Sequence, residues 1–192
     1  IPARWNGTSR KNMSKPHGGD AEIYDVKLKN NTAVFFGMTM RPNNMVGLLP
    51  KASYWINGKR TDCNNGGTWQ QNIYGGEGIS GYTDGNDIYV TGNIQHIGTV
   101  DPDGNPKEGE PGITPHYWKN GKIFDLPGGP VFDNYWVGEG RDIAIHEEQI
   151  IVGGWASSLQ HSQVAALWVD GQLTYLENKE KYPSVIHSVF IK

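Results

Sequence analysis

The feature that most constrains this chain is a short unit that returns three times. It reads Tyr54-Trp55-Ile56-Asn57-Gly58-Lys59, then Tyr117-Trp118-Lys119-Asn120-Gly121-Lys122, then Leu167-Trp168-Val169-Asp170-Gly171-Gln172. A shortened copy opens the chain as Arg4-Trp5-Asn6-Gly7-Thr8. The tryptophans stand 50, 63 and 50 residues apart. In each copy an aromatic or β-branched stretch runs into Asn-Gly or Asp-Gly, residues that take the positive φ a two-residue hairpin demands. Each unit therefore reads as strand, tight turn, strand. A period of this length marks a repeat architecture and restricts the fold more than any bulk property.

Further strands recur in step with the unit. About 32 residues after a tryptophan come Ala33-Val34-Phe35-Phe36-Gly37-Met38, Asp87-Ile88-Tyr89-Val90-Thr91-Gly92 and Gln149-Ile150-Ile151-Val152-Gly153-Gly154. Each is an apolar run closing on glycine, which predicts a buried strand that bends at its end. Ahead of these lie strands over 23–29, 79–83 and 142–146. The latter two follow Gly76-Glu77-Gly78 and Gly138-Glu139-Gly140, where glycine allows a sharp bend. A last strand follows the hairpin turn, as in Lys122-Ile123-Phe124-Asp125-Leu126 and Gln172-Leu173-Thr174-Tyr175-Leu176. Four strands in about 50 residues is the content of one propeller blade. Composition agrees: 26 glycines, 11% aromatic and only 19% charged residues suit short strands and turns, not a helical bundle or a disordered tail.

The order of glycine-ended strand, loop, Tyr-Trp-Lys-Asn-Gly-Lys and leucine-ended strand resembles a kelch-like β-propeller blade. It is nearer still to the Tyr-Trp-x-Asn-Gly repeats of secreted and surface proteins of Bacteroidetes-like bacteria, most of unassigned function. The resemblance covers residues 4–192. It departs from kelch repeats in that, of the three glycine-ended strands, only the third closes on a double glycine, Gly153-Gly154, and the spaced Tyr/Trp pair is fused.

The expectation is an all-β propeller with four-stranded blades of about 50–60 residues, three complete and one partial. Blade units run over 20–66, 75–130 and 137–178, with 1–15 and 183–192 as parts of another. Residues 1–15 read as third and fourth strands and 184–192 as a first strand, so that blade lacks a second strand. Three arrangements fit: a piece of a larger propeller, a four-bladed ring with one three-stranded blade, or two chains sharing blades. An open propeller would leave long sheet edges exposed, an aggregation hazard, so self-association or a missing segment is expected to close the ring.

Chemistry is sparser. Cys63 is the sole cysteine, so an intramolecular disulfide and a cysteine-rich zinc site are excluded. Histidines show no His-x-His or His-Glu-x-x-His spacing, and neither a Gly-x-Ser-x-Gly elbow nor a phosphate-binding glycine loop occurs. No catalytic residue, metal or cofactor is assigned. A net charge of −3 argues against a duplex-binding surface, and no run of about 18 apolar residues predicts a membrane span. The first residues lack an apolar signal core, although the chain opens in mid-pattern.

The recurring Trp55, Trp118 and Trp168 are expected to pack between blades. The non-repeated Trp69, Trp136 and Trp155 either cap that core or form an open aromatic platform for sugar rings. Glu77 and Glu139, with Arg141 nearby, are solvated turn residues or sit at a rim, where they bind a cation or hydroxyls. The insertion over 97–115 contains Asp101-Pro102-Asp103-Gly104-Asn105-Pro106, a plain turn or the start of a calcium loop whose sixth and twelfth positions do not match. These features predict a non-enzymatic binding module, extracellular, cell-surface or periplasmic, that presents loops to a carbohydrate or protein. The alternative is a glycan-active hydrolase or lyase using Glu77 and Glu139.

Overall fold

The computed structural model describes residues 3–6, 9–14, 20–43, 47–64, 73–96, 112–129, 137–158, 161–176 and 182–191. Among them there is no helix, hence none long and apolar enough to cross a membrane. The strands are β1 (Ala3–Asn6), β2 (Ser9–Asn12), β3 (Ala21–Lys29), β4 (Thr32–Asn43), β5 (Gly47–Ile56), β6 (Lys59–Asp62), β7 (Ile73–Asp84), β8 (Asp87–His96), β9 (Gly112–Lys119), β10 (Lys122–Asp125), β11 (Gly138–His146), β12 (Gln149–Ala156), β13 (Val164–Val169) and β14 (Gln172–Tyr175). β1 and β2 form a hairpin. The other twelve form three four-stranded antiparallel meanders, β3–β6, β7–β10 and β11–β14.

Turn chemistry sets each meander. Asn57-Gly58, Asn120-Gly121 and Asp170-Gly171 hold positive φ at both positions, 51° and 81°, 52° and 82°, 49° and 79°. The Asn or Asp does more than tolerate that backbone. Oδ1 of Asn120 accepts from Ile88 N at 3.0 Å and Oδ1 of Asp170 from Ile150 N at 2.9 Å, tying the turn to the start of the second strand. The first hairpin of the third sheet turns on Glu147-Glu148, at φ 46° and 68°, a conformation that suits glutamate poorly.

Trp55, Trp118 and Trp168 are fully buried and occupy one environment. Across the sheet they face Phe35, Val90 and Val152. Their indoles donate to the carbonyls of Ser14 (2.7 Å), Asn64 (2.6 Å) and Pro127 (2.8 Å). Each acceptor stands two residues past the last strand of the preceding hairpin or sheet, so each ring fastens one unit to the next. Between the first two meanders lies a core of Val34, Phe36, Tyr54, Cys63, Ile88, Val90, Ile94 and Trp118. A second core, with Tyr89, Leu126, Ile143, Val152 and Trp168, joins the second meander to the third.

Two expectations about glycine are corrected. Gly37, Gly92 and Gly154 do not end their strands; β4, β8 and β12 run on past them. A Cβ there would lie 2.0, 1.8 and 2.0 Å from the carbonyl oxygens of Glu22, Glu77 and Glu139. Close approach of the first strand forbids the side chain. Gly78 and Gly140 likewise do not serve a positive-φ bend. Their Cβ atoms would meet Gly37 O at 2.8 Å and Thr91 Oγ1 at 2.2 Å on the sheet beneath.

The segment 184–191 forms no ladder strand, yet it lies on the third meander as a first strand would. Ile186 N donates to Gly154 O at 2.9 Å, and a Cβ on Gly153 would strike Ile186 and Val189. In the same way Gly78 sits over Gly37, Gly140 over Gly92, and Gly81 over Phe36. Residues 186–189 thus match 78–81 position for position.

Candidate functional site: a cavity among the first strands

Each first strand carries a β-bulge at one place, between Ile23 and Asp25, Gly78 and Ser80, and Gly140 and Asp142. A bulge leaves one residue without a ladder partner and re-aims its side chain. The extra residues are Tyr24, Ile79 and Arg141. With the residues that follow them, Asp25, Ser80 and Asp142, they line a cavity of about 560 Å³. His187 and Ser188 contribute the corresponding pair from the C-terminal segment, and Lys27, Glu77 and Glu139 complete the polar wall.

The second position of each pair alternates Asp, Ser, Asp, Ser, and it carries the hydrogen bonds between units. Ser80 Oγ lies 2.7 Å from Asp25 Oδ2 and 2.6 Å from Asp142 Oδ1, and its single proton serves one carboxylate at a time. Asp25 also accepts from Gly81 N at 3.2 Å, as Asp142 does from Ser188 Oγ (3.1 Å) and Val189 N (2.8 Å). Burial alone would raise the Asp25 carboxyl. The Ser80 hydroxyl, the Gly81 and Val26 amides and Lys27 (3.3 Å) outweigh it and hold the group below its ordinary value.

Glu139 and Glu77 stand three residues before Asp142 and Ser80, one on each of two neighbouring sheets. Glu139, 9% exposed, accepts from Trp155 Nε1 (2.9 Å), Asn93 Nδ2 (3.2 Å) and Arg141 Nε (3.0 Å). Glu77 has no such clasp. Burial first, then the charges of Glu139 and Glu22, push its carboxyl up, while Asn93 and Arg141 only partly offset them. Asn93 is 2% exposed and its Oδ1 accepts no hydrogen bond.

Of the residues singled out in the sequence, Glu77, Glu139 and Arg141 are brought together here. Trp155 joins them, but as a buried ring, 3% exposed, whose indole holds Glu139; it is not an open stacking platform. Trp69, Trp136 and the 101–106 turn lie outside the described residues. Cys63 is buried, which pushes its thiol up to about 12 and removes any ready thiolate. Among the described residues no group of His, Cys, Asp and Glu has a metal-binding arrangement. Tyr24, Asp25, Ser80, Asp142, His187, Ser188 and Asn93 went unread. Aligning the repeats on Glu77 and Glu139 would have found the Asp/Ser position, three residues on. No family model matches the chain, and no curated protein matches it.

Proposed function

We propose that this chain is a β-propeller of the kelch-like, Tyr-Trp-x-Asn-Gly repeat type, acting as a secreted or surface binding module. Its ligand, a carbohydrate or the side chains of a protein, enters the cavity among the first strands. The propeller reading rests on four first-strand segments placing the same two register positions around one cavity. The binding reading rests on a contrast within those pairs. The Asp/Ser position is nearly uniform because it carries the inter-unit hydrogen bonds. The bulge position, serving no such bond, reads Tyr24, Ile79, Arg141 and His187. Side chains that differ from repeat to repeat at a place where packing asks for nothing in particular are suited to recognising an asymmetric ligand.

Glycan hydrolysis is the second reading, favoured by the raised Glu77 carboxyl beside a second glutamate. It is weaker, because Trp155, Asn93 and Arg141 tie Glu139 to the fold and leave it little freedom to turn toward a substrate. A glycan array followed by incubation of any hit with the protein separates the two. Binding without turnover, lost in Arg141→Ala, supports the module. Turnover that disappears in Glu77→Gln identifies a hydrolase. With no glycan bound, the module reading predicts instead that immobilised protein captures a protein ligand and that Arg141→Ala does not.

A further inference from the structure

Resting on the propeller reading, we infer that the open face of the first meander takes an extended strand of another polypeptide, one that carries two successive glycines. Where one unit meets the next, a single position of the second strand sets the fit. Phe36, Thr91 and Gly153 hold it, each one residue before Gly37, Gly92 or Gly154. A Cβ on Gly81 would strike Phe36, one on Gly140 would strike Thr91, and one on Gly153 would strike Ile186 and Val189. The matching pairs on the following first strands are Gly78 and Gly81, Gly140 and Ile143, and Ile186 and Val189. As the pair grows, the second-strand residue shrinks from phenylalanine to threonine to glycine, as close packing in a fixed space requires.

On β3 the pair is Ile23 and Val26, the same two residue types as Ile186 and Val189. Val26 is 51% and Leu28 70% exposed, whereas Ile143 is buried and Ile145, which matches Leu28, packs on the second core. Phe190, matched to Tyr82 beside that core, is 83% exposed. An isoleucine–valine pair calls for glycine opposite. The next residue is glycine too, since Val185 matches Glu22, Glu77 and Glu139, whose carbonyls exclude a Cβ from Gly37, Gly92 and Gly154. Among the described residues β1 pairs only with β2, and 184–191 joins no ladder, so both have an edge to offer. His187 and Ser188 line one cavity with Tyr24, Asp25 and Lys27, which sets the segment beside β3. A second folded copy has no such strand to lend, because β4, β8 and β12 are each paired on both sides. The occupant is therefore an extended segment of a partner, held by backbone hydrogen bonds and selected by its glycine pair.

The test uses a labelled peptide of residues 149–156, Gln-Ile-Ile-Val-Gly-Gly-Trp-Ala, titrated with the whole chain and read by fluorescence anisotropy. It should bind at least about tenfold more tightly than the same peptide carrying Gly153→Phe. Val26→Gly in the protein should narrow that gap, as Gly81 makes room for Phe36. Leu28→Asp, a change at an exposed position, should weaken the parent peptide, with thermal melts confirming that both variants fold. Equal binding of the two peptides to the unaltered protein would overturn the inference while leaving the propeller reading intact. If neither peptide binds, the inference falls, and the coupling between Asp142 and Ser188 decides the propeller reading separately.

Discussion

At the residue scale, burial makes the repeated tryptophans and Glu77 opposite cases. Trp118 is fully buried and bonds through its indole to the neighbouring unit, so Trp118→Ala should lose about 3–5 kcal/mol of stability in denaturant unfolding. A loss under about 1 kcal/mol would mean the ring is not part of the core. Glu77 is held in a place that disfavours its charge. Unfolded, it ionises near the ordinary 4.5; folded, it ionises only at higher pH. Through that window the native chain keeps a proton that the unfolded chain has lost, so stability falls as pH rises and stays lower above it. Glu77→Gln should therefore melt higher than the parent at neutral pH, with the gain vanishing below the ordinary carboxylate range. An equal or lower melting temperature at neutral pH would contradict the environment described. Glu77 and Glu139 were legible as a pair from their flanking glycines. Asn93 was not, because nothing in its neighbours marks a buried polar side chain.

At the element scale, turns were the most legible feature, since Asn-Gly and Asp-Gly name their backbone. The hairpin at Glu147-Glu148 was not, because glutamate carries no signal for positive φ and the ladder on either side imposes it. Replacing the pair with Asn-Gly should stabilise the protein by about 1 kcal/mol, read as a higher denaturation midpoint. No gain would mean the turn is supported by contacts other than its own backbone. The glycines were found but their reason was misread. Composition suggests a bend, whereas Gly92 is needed because a neighbouring carbonyl lies where its Cβ would be. Such close approach depends on how the sheet folds over itself, which local patterning does not encode. The bulges were invisible for the same reason: one extra residue in a strand looks like any other until its partner strand is known.

At the scale of the molecule, the period of the tryptophan units was enough to divide the chain into its three meanders. What the period could not give is how their first strands meet. In the first meander Val26 and Leu28 are 51% and 70% exposed, whereas Ile143, which matches Val26 in the third, is 1% exposed against the second core. The first meander thus presents openly the face that the others bury. At the other end, segment 184–191 forms no ladder strand but lies against β11 and β12 where a first strand would. The proposed propeller depends on that segment standing in register with 78–81 and completing the cavity wall. A double-mutant cycle between Asp142→Asn and Ser188→Ala, read by denaturant unfolding, tests this most directly, since their contact exists only in that register. The account predicts a coupling of about 1 kcal/mol; additivity within about 0.3 kcal/mol would show that the segment does not occupy the first-strand position.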